Sequence, residues 1–354
     1  MYLDFFKLRE FPFRLTPDTT FLYMSEAHVR AKAYMAYTVW NRDGFVVISG
    51  EIGSGKTTLI QKLISELDDN VIVAKVFQTQ LDEVEFLQAV LVEFGLNPFS
   101  AQKVQLIDML NSYLIDQFHK DMQLVLIVDD AHNLSPKVLE EIRMLSGLET
   151  QKEKLLHIIL VGQPQLNELL ESAEMEQLLQ RVRLRYHIKP LSEEETRAYI
   201  KHRLTVAGAG DGNLFAADTV SVIYEYTGGL PRLINTLCDT CLVCAYADQA
   251  PKVTKAILQG AIEELQWVPY AKRVRKRNEK GKRAVNEYAE MLQQNTRALV
   301  GVGNQLGRLE GLEPALNTIS LRMRHIEALL QEIANTLREG RPVKDNVKKL
   351  VKAD

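Results

Sequence analysis

The chain has 354 residues, 46% hydrophobic and 25% charged, a balance that suits a globular protein with two or three cored domains and excludes a chain disordered throughout. No run approaches the roughly 20 apolar residues of a membrane helix, and the start MYLDFFKLRE lacks the basic and apolar regions of a secretory signal, so the expected compartment is the cytoplasm, with a peripheral position at the inner membrane as a variant. Net charge is only -3, but from Tyr270 onward 18 Lys and Arg face 10 Asp and Glu, which leaves a basic tail on an acidic body. In chain order, residues 1–43 form an N-terminal segment. Residues 44–190 alternate β-rich apolar runs (GFVVIS, VIVAKVF, LVLIVDD, LLHIILVG, RLRYHI) with amphipathic helical stretches (KTTLIQKLISEL, VEFLQAVLVEFG, PKVLEEIRMLSGL), the pattern of an α/β domain with a parallel sheet. Residues 191–268 read as four helices, a small all-helical domain; the first opens with Ser192 three residues before Glu195, a capping-box spacing, and the third has Pro231 at a first helical position after Gly228 and Gly229. Its apolar helix LCDTCLVCAYA carries the three cysteines, Cys238, Cys241 and Cys244, which read as small core residues in preference to metal ligands. A basic linker spans 269–284. A helical tail spans 285–354, with Leu316, Ile319, Met323, Ile326, Leu330, Ile333 and Leu337 alternating at spacings of three and four, a coiled-coil seam.

Two segments carry chemistry. The stretch GEIGSGKTT follows the strand FVVI and opens a helix, and Gly50, Gly55, Lys56 and Thr57 match the P-loop pattern in its required strand–loop–helix context. Its glycines let backbone N–H groups approach phosphate oxygens, so Gly50, Glu51, Ile52, Gly53, Ser54, Gly55, Lys56, Thr57 and Thr58 form the expected cradle for ATP. Lys56 would meet the β and γ phosphates, and the Thr57 hydroxyl would bind Mg²⁺. In LVLIVDDAH a buried apolar strand ends in two carboxylates, Asp129 and Asp130. By itself the pair suits a turn cap as well as a ligand site. Beside a P-loop, Asp129 is the expected Mg²⁺ partner and Asp130 occupies the place of the water-activating carboxylate, one methylene shorter than the Glu common there.

With these motifs and a trailing helical domain, the chain resembles AAA+ ATPases, and more closely the ExeA/GspA group (general secretion pathway protein A) with the XrtA/PEP-CTERM-associated ATPases. The resemblance runs from about Met1 to Trp267 through MYLDFFKLREFPFRLTPD, GEIGSGKTT, LVGQPQL, LLQRVRLRYHIKPLSEEETRAYIKHRL and TGGLPRLINTLCD. It implies a P-loop α/β domain with a helical lid, and three further roles: Gln163 as the water-positioning sensor on the γ-phosphate side, with an ordinary turn amide as the alternative; Arg181, or else Arg183, as a finger reaching a neighbouring subunit's site, with a purely structural arginine pair as the alternative; and Arg232 as a lid arginine over the phosphates. It also implies that EFPFRLTPDTTFLYMSEAHVRAKAYM borders the adenine, although Phe11, Phe13 and Phe21 suit core packing equally, and that His28 holds a recurring family position. Beyond Trp267 the likeness lapses, since such secretion proteins continue into a membrane helix and a periplasmic peptidoglycan-binding domain.

The leading expectation is a Mg²⁺-dependent ATPase, working as a homo-oligomer, that drives assembly or operation of a secretion, pilus or exopolysaccharide system, with a protein partner taken by the tail. A DNA-directed regulator of the transposition target-selection type is the alternative, since KRVRKR could neutralise DNA phosphates or anionic lipid, or stand as a solvated linker. A third expectation is an ATP-binding scaffold with little turnover.

Overall fold

Alternation of side chains along each strand decides which residues face which layer of helices. The computed structural model describes residues 2–41, 44–98, 102–150 and 153–276, together with 279 and 291. Its elements in chain order are α1 (Tyr2–Phe6), α2 (Glu26–Trp40), β1 (Phe45–Gly50), α3 (Lys56–Ile64), β2 (Val71–Val76), α4 (Glu83–Glu93), α5 (Lys103–His119), β3 (Gln123–Val128), α6 (Pro136–Leu145), β4 (His157–Gly162), α7 (Gln165–Leu170), α8 (Glu176–Leu179), β5 (Leu184–Ile188), α9 (Glu193–Val206), α10 (Thr219–Thr227), α11 (Pro231–Ala247) and α12 (Lys255–Glu264). The strands form one parallel sheet in the order β2-β3-β4-β1-β5. Phe45 and Val47 of β1 turn to one face, where α4, α5 and α6 cover them with Leu87, Leu91, Leu110 and Ile142; Val46 and Ile48 turn to the other, against Met35 and Val39 of α2 and Leu59 and Ile60 of α3. Both faces are buried, which explains the continuous apolar runs.

The register aligns the strand ends that matter. Val128 of β3 lies opposite Leu160 of β4, and Gly162 at the end of β4 lies opposite Ser49 of β1. The segments that follow β3, β4 and β1 therefore emerge side by side at the carboxyl edge, where ligands bind in open α/β sheets.

Helices α9 to α12 enclose a second core. Ser192 Oγ accepts from Glu195 N–H at 3.2 Å while Glu195 Oε2 accepts from Ser192 N–H at 2.9 Å, so the capping box forms as the spacing predicts. Cys238 and Cys241 are buried in this core, and Cys244 lies at its margin, where its thiol contacts Glu264. At Gly229, φ is +72° and a Cβ would stand 1.9 Å from the Leu191 carbonyl oxygen, so only glycine lets α11 begin this close to the end of the sheet domain.

The N-terminal segment divides between the two bodies. Tyr2, Phe6, Leu8, Phe13 and Phe21 lie in the core of α9–α12, whereas α2 packs on the sheet. Contacts across the chain fix this arrangement: Tyr2 OH donates to Asp239 at 2.6 Å, and Arg9 N–H donates to the Ala207 carbonyl at 2.7 Å. The chain falls into two compact units, Met1–Tyr270 and Ala271–Asp354. In the second, 271–276 are helical where a linker is expected from the sequence, because AKRVRK contains good helix formers and neither Gly nor Pro. The heptad seam lies outside the described residues. Among those described, no helix is long and apolar enough to cross a membrane.

Candidate functional site

At the end of β1 the chain turns through Gly53 (φ +80°) and Gly55 (φ +93°), both in the left-handed region, and enters α3 at Lys56. These dihedrals are strained for any residue with a Cβ and aim successive N–H groups into one concavity. Lys56 is 8% exposed, and its Nζ donates to the carbonyls of Gly50 (2.8 Å) and Glu51 (2.9 Å). Burial pushes its pKa down, against the pull of Asp129, Asp130 and Glu51.

The end of β3 approaches the first turn of α3. Thr57 Oγ1 donates to Asp129 Oδ2 at 2.8 Å, and Asp129 Oδ1 accepts from Asp130 N–H at 3.0 Å. The buried carboxylate thus stands beside the one hydroxyl of the P-loop that a hard cation would use, and this all-oxygen pair fits Mg²⁺. Asp130 has φ 50° and ψ 33°, a left-handed conformation that Asp tolerates better than most residues, and its side chain is 56% exposed toward the cavity. The turn it makes brings His132 back over the sheet. His132 Nε2 lies 2.6 Å from Gln163 Nε2, just past β4.

A cavity of about 420 Å³ opens in front of these groups. Lys56, Thr57, Thr58, Asp130 and Gln163 line it, together with Arg14, Leu22, Tyr23, Tyr199, Pro231 and Asn235. Arg232 closes the top from the start of α11, where its N–H donates to the Gly53 carbonyl at 3.1 Å. A Cβ on Gly53 would sit 2.4 Å from Arg232 Cβ, so the P-loop and the lid touch at a point that admits no side chain.

Four side chains come from elsewhere in the chain: His28, Arg203, Tyr199 and Asn235. His28 is buried, and its Nε2 lies 2.9 Å from the Ser54 carbonyl, to which it donates, leaving Nδ1 to accept from Ser25 Oγ at 2.6 Å. Burial lowers its pKa, so the neutral ring props the P-loop from behind. Arg203 is buried, donates to the Pro12 carbonyl and, at 2.9 Å, to Tyr199 OH, and lies 4.9 Å over the Phe21 ring. Tyr199 OH donates to Asn235 Oδ1 at 2.7 Å, and Asn235 Nδ2 donates to the Arg14 carbonyl at 3.3 Å, so this network pins the 12–21 strap across the cavity. Phe21 lies both in the core and on the cavity wall, while Phe13 is in the core alone.

Of the residues singled out in the sequence, those from the P-loop, Asp129, Asp130, Gln163 and Arg232 converge here. Arg181 does not. It lies beyond the amino ends of β1 and β5, where Nη1 donates to the Arg143 carbonyl and Ser146 Oγ at 3.2 Å each. Sequence reasoning missed His132, Tyr199, Arg203 and Asn235. His132 stood in plain view in LVLIVDDAH, but its partner is 31 residues on and is brought near only by the β3–β4 register.

A parallel sheet of this order, with a P-loop after β1, a carboxylate pair after β3 and a helical lid over the cavity, defines a P-loop NTPase of the AAA+ class. Residues 40–170 match the family model of an AAA domain. The fold is shared with the Aeropyrum pernix ORC2 protein (TM-score 0.54, 13% identity, 70% of this chain and 72% of that one) and with a chain of the Drosophila ORC bound to DNA (TM-score 0.58, 15% identity, 94% and 79%). Over 270 residues the chain is 37% identical to General secretion pathway protein A of Aeromonas hydrophila, across 76% of this chain and 49% of that protein. Over this region the chain is related to general secretion pathway protein A, and it spans about half the length of that curated relative.

Proposed function

We propose that the chain is a Mg²⁺-dependent ATPase whose nucleotide cycle changes the shape of a homo-oligomer and so drives assembly or operation of a secretion or other cell-surface system. The observation that supports it is the convergence of Lys56, the Thr57–Asp129 pair, Asp130, Gln163 and Arg232 on one cavity. In this reading the P-loop N–H groups and Lys56 hold the β and γ phosphates, and Thr57 and Asp129 hold Mg²⁺, which when bound offsets charge on the transferring group. Asp130 accepts the proton of the attacking water, Gln163 orients that water, and Arg232 neutralises phosphate charge from the lid. Arg181 belongs to a second subunit's site, in keeping with its distance from its own cavity. The secretion role rests on kinship with general secretion pathway protein A.

The test measures ATP turnover and molecular mass on the same samples across a protein dilution series, with Lys56→Ala as the binding-dead control. Turnover per protomer should rise as monomer converts to oligomer, since an arginine supplied in trans contributes about 10³- to 10⁵-fold in other P-loop enzymes. Constant specific activity across that conversion would rule out a shared site. Turnover dependent on added DNA would move the reading to the DNA-directed regulator, and ATP-dependent assembly without turnover to the scaffold.

A further inference from the structure

The acid after β3 and the amide after β4 are joined by a residue that no phosphate-binding motif contains. The His132 side chain is 10% exposed and spans the gap between them: Nε2 lies 2.6 Å from Gln163 Nε2, and Nδ1 lies 3.9 Å from Asp130 Oδ1. Nδ1 is buried and makes no hydrogen bond among the described residues. A side-chain amide nitrogen can only donate, so the nitrogen it meets must carry the lone pair, and the ring proton then sits on Nδ1, facing the carboxylate. The opposite assignment turns the amide over so that its oxygen accepts from Nε2–H. That arrangement aims the buried Nδ1 lone pair at the Asp130 carboxylate, where two acceptors face each other with no proton between them. The carboxylate therefore selects the tautomer, and the tautomer selects which way round the amide stands. Burial lowers the His132 pKa, and Lys56 lowers it further against Asp130 and Asp129, so the ring carries one proton near neutrality.

We infer that His132 is a positioning residue that fixes the orientation of Gln163 from the Asp130 carboxylate, so that Gln163 meets the attacking water with its Oε1. This rests on the ATPase reading. Gln163 and Asp130 line the cavity and His132 does not, so the imidazole acts through its two neighbours and never on the nucleotide. With one amide N–H held by Nε2, Gln163 keeps Oε1 and a second N–H for the cavity. Its oxygen and the Asp130 carboxylate then accept the two protons of one water, which aims that water's lone pair at phosphorus. Glycine at 162 makes the arrangement possible, because a Cβ there would stand 3.2 Å from the His132 backbone nitrogen and 3.0 Å from Leu166.

The test combines a double-mutant cycle with a direct reading of the tautomer, both on the full chain. His132→Ala should lower kcat by about 10- to 100-fold, the range for groups that orient a reacting residue, with KM for ATP changed less than about twofold. In a Gln163→Ala background the same change should cost less than about threefold, because the residue it acts through is gone. Equal losses in the two backgrounds would overturn the proposal, as would a loss confined to KM. Long-range ¹H–¹⁵N spectra of histidine-labelled protein at pH 7.5 should show His132 protonated on Nδ1 alone, and Asp130→Ala should shift it to a mixture. An Nε2-protonated ring or an imidazolium in the wild type refutes the inference. A chain that binds ATP without hydrolysing it would defeat the ATPase reading, and the spectra would still decide the orientation.

Discussion

Gly53→Ala tests whether P-loop and lid are one mechanical unit. Two costs are separable. The backbone cost comes from φ +80°, about 1–2 kcal/mol for a residue with a Cβ. The contact cost comes from the new Cβ standing 2.4 Å from Arg232 Cβ, about 1 Å inside the separation at which carbon atoms attract. The first turn of α11 must retreat by roughly that distance, giving up the Arg232 N–H to Gly53 carbonyl bond, worth about 0.5–1.5 kcal/mol. Gly95→Ala is the matched control, since Gly95 has φ +83° and open space where its Cβ would go. Thermal melts should place Gly53→Ala below Gly95→Ala by roughly 1–6 °C, at about 2–4 °C per kcal/mol for a domain of this size. Titration with a fluorescent ATP analogue should show affinity reduced about tenfold or more in Gly53→Ala, and unchanged in Gly95→Ala, as Arg232 is pushed off the phosphates. Equal melting temperatures and equal affinities in the two variants would refute the reasoning.

Asp130→Asn should keep ATP and Mg²⁺ affinity while slowing hydrolysis by about 10²- to 10⁴-fold, measured by single-turnover kinetics. Asp130→Glu decides what the shorter acid is for: faster hydrolysis marks a native site tuned to slow switching, and slower hydrolysis marks a pocket built around Asp. His28 makes stability depend on pH. Its pKa is lowered by burial below the ordinary 6.5, so the unfolded chain takes up the proton first; the stability it contributes is present above about pH 6.5 and is lost as pH falls toward its folded value. Denaturant melts at pH 7 and pH 5 should therefore show a smaller decline in His28→Ala than in the wild type, and an identical decline would remove His28 as the P-loop prop.

The strands were legible because a sheet buried on both faces writes unbroken apolar runs, and the P-loop because its glycines and its Lys are consecutive in the chain. Helix α5 went unread although Leu106, Leu110 and Leu114 recur at helical spacing; its entry at Gln102 lacks the usual Ser, Thr, Asp or Asn start signal. Arg232 is implied by the family resemblance that the contiguous stretch TGGLPRLINTLCD carries. Arg203 and Asn235 could not be found that way, since their partners Pro12, Arg14 and Phe21 lie about 180 residues or more upstream, and Tyr199 joins them through Asn235, 36 positions on. Such pairings follow from packing of the strap, which periodicity along one helix does not encode. Dividing residues 1–43 between lid and sheet is invisible for the same reason.

That division has a consequence for biosynthesis. The aromatic residues Tyr2, Phe5, Phe6, Phe11 and Phe13 touch one another in part, but the core they join is built from helices made some 200 residues later, as the Tyr2–Asp239 bond spans 237 positions. While the ribosome is still producing the sheet, these side chains have nowhere to go. They are an exposed apolar cluster on the nascent chain, the kind of surface that holding chaperones bind. Docking them waits for α9, α11 and α12, and once sheet folding has shortened the effective loop, closure costs little. The same geometry makes a fusion at the amino end an intervention at the nucleotide cavity, since displacing the first turn pulls on the strap that Arg203 and Asn235 hold across it.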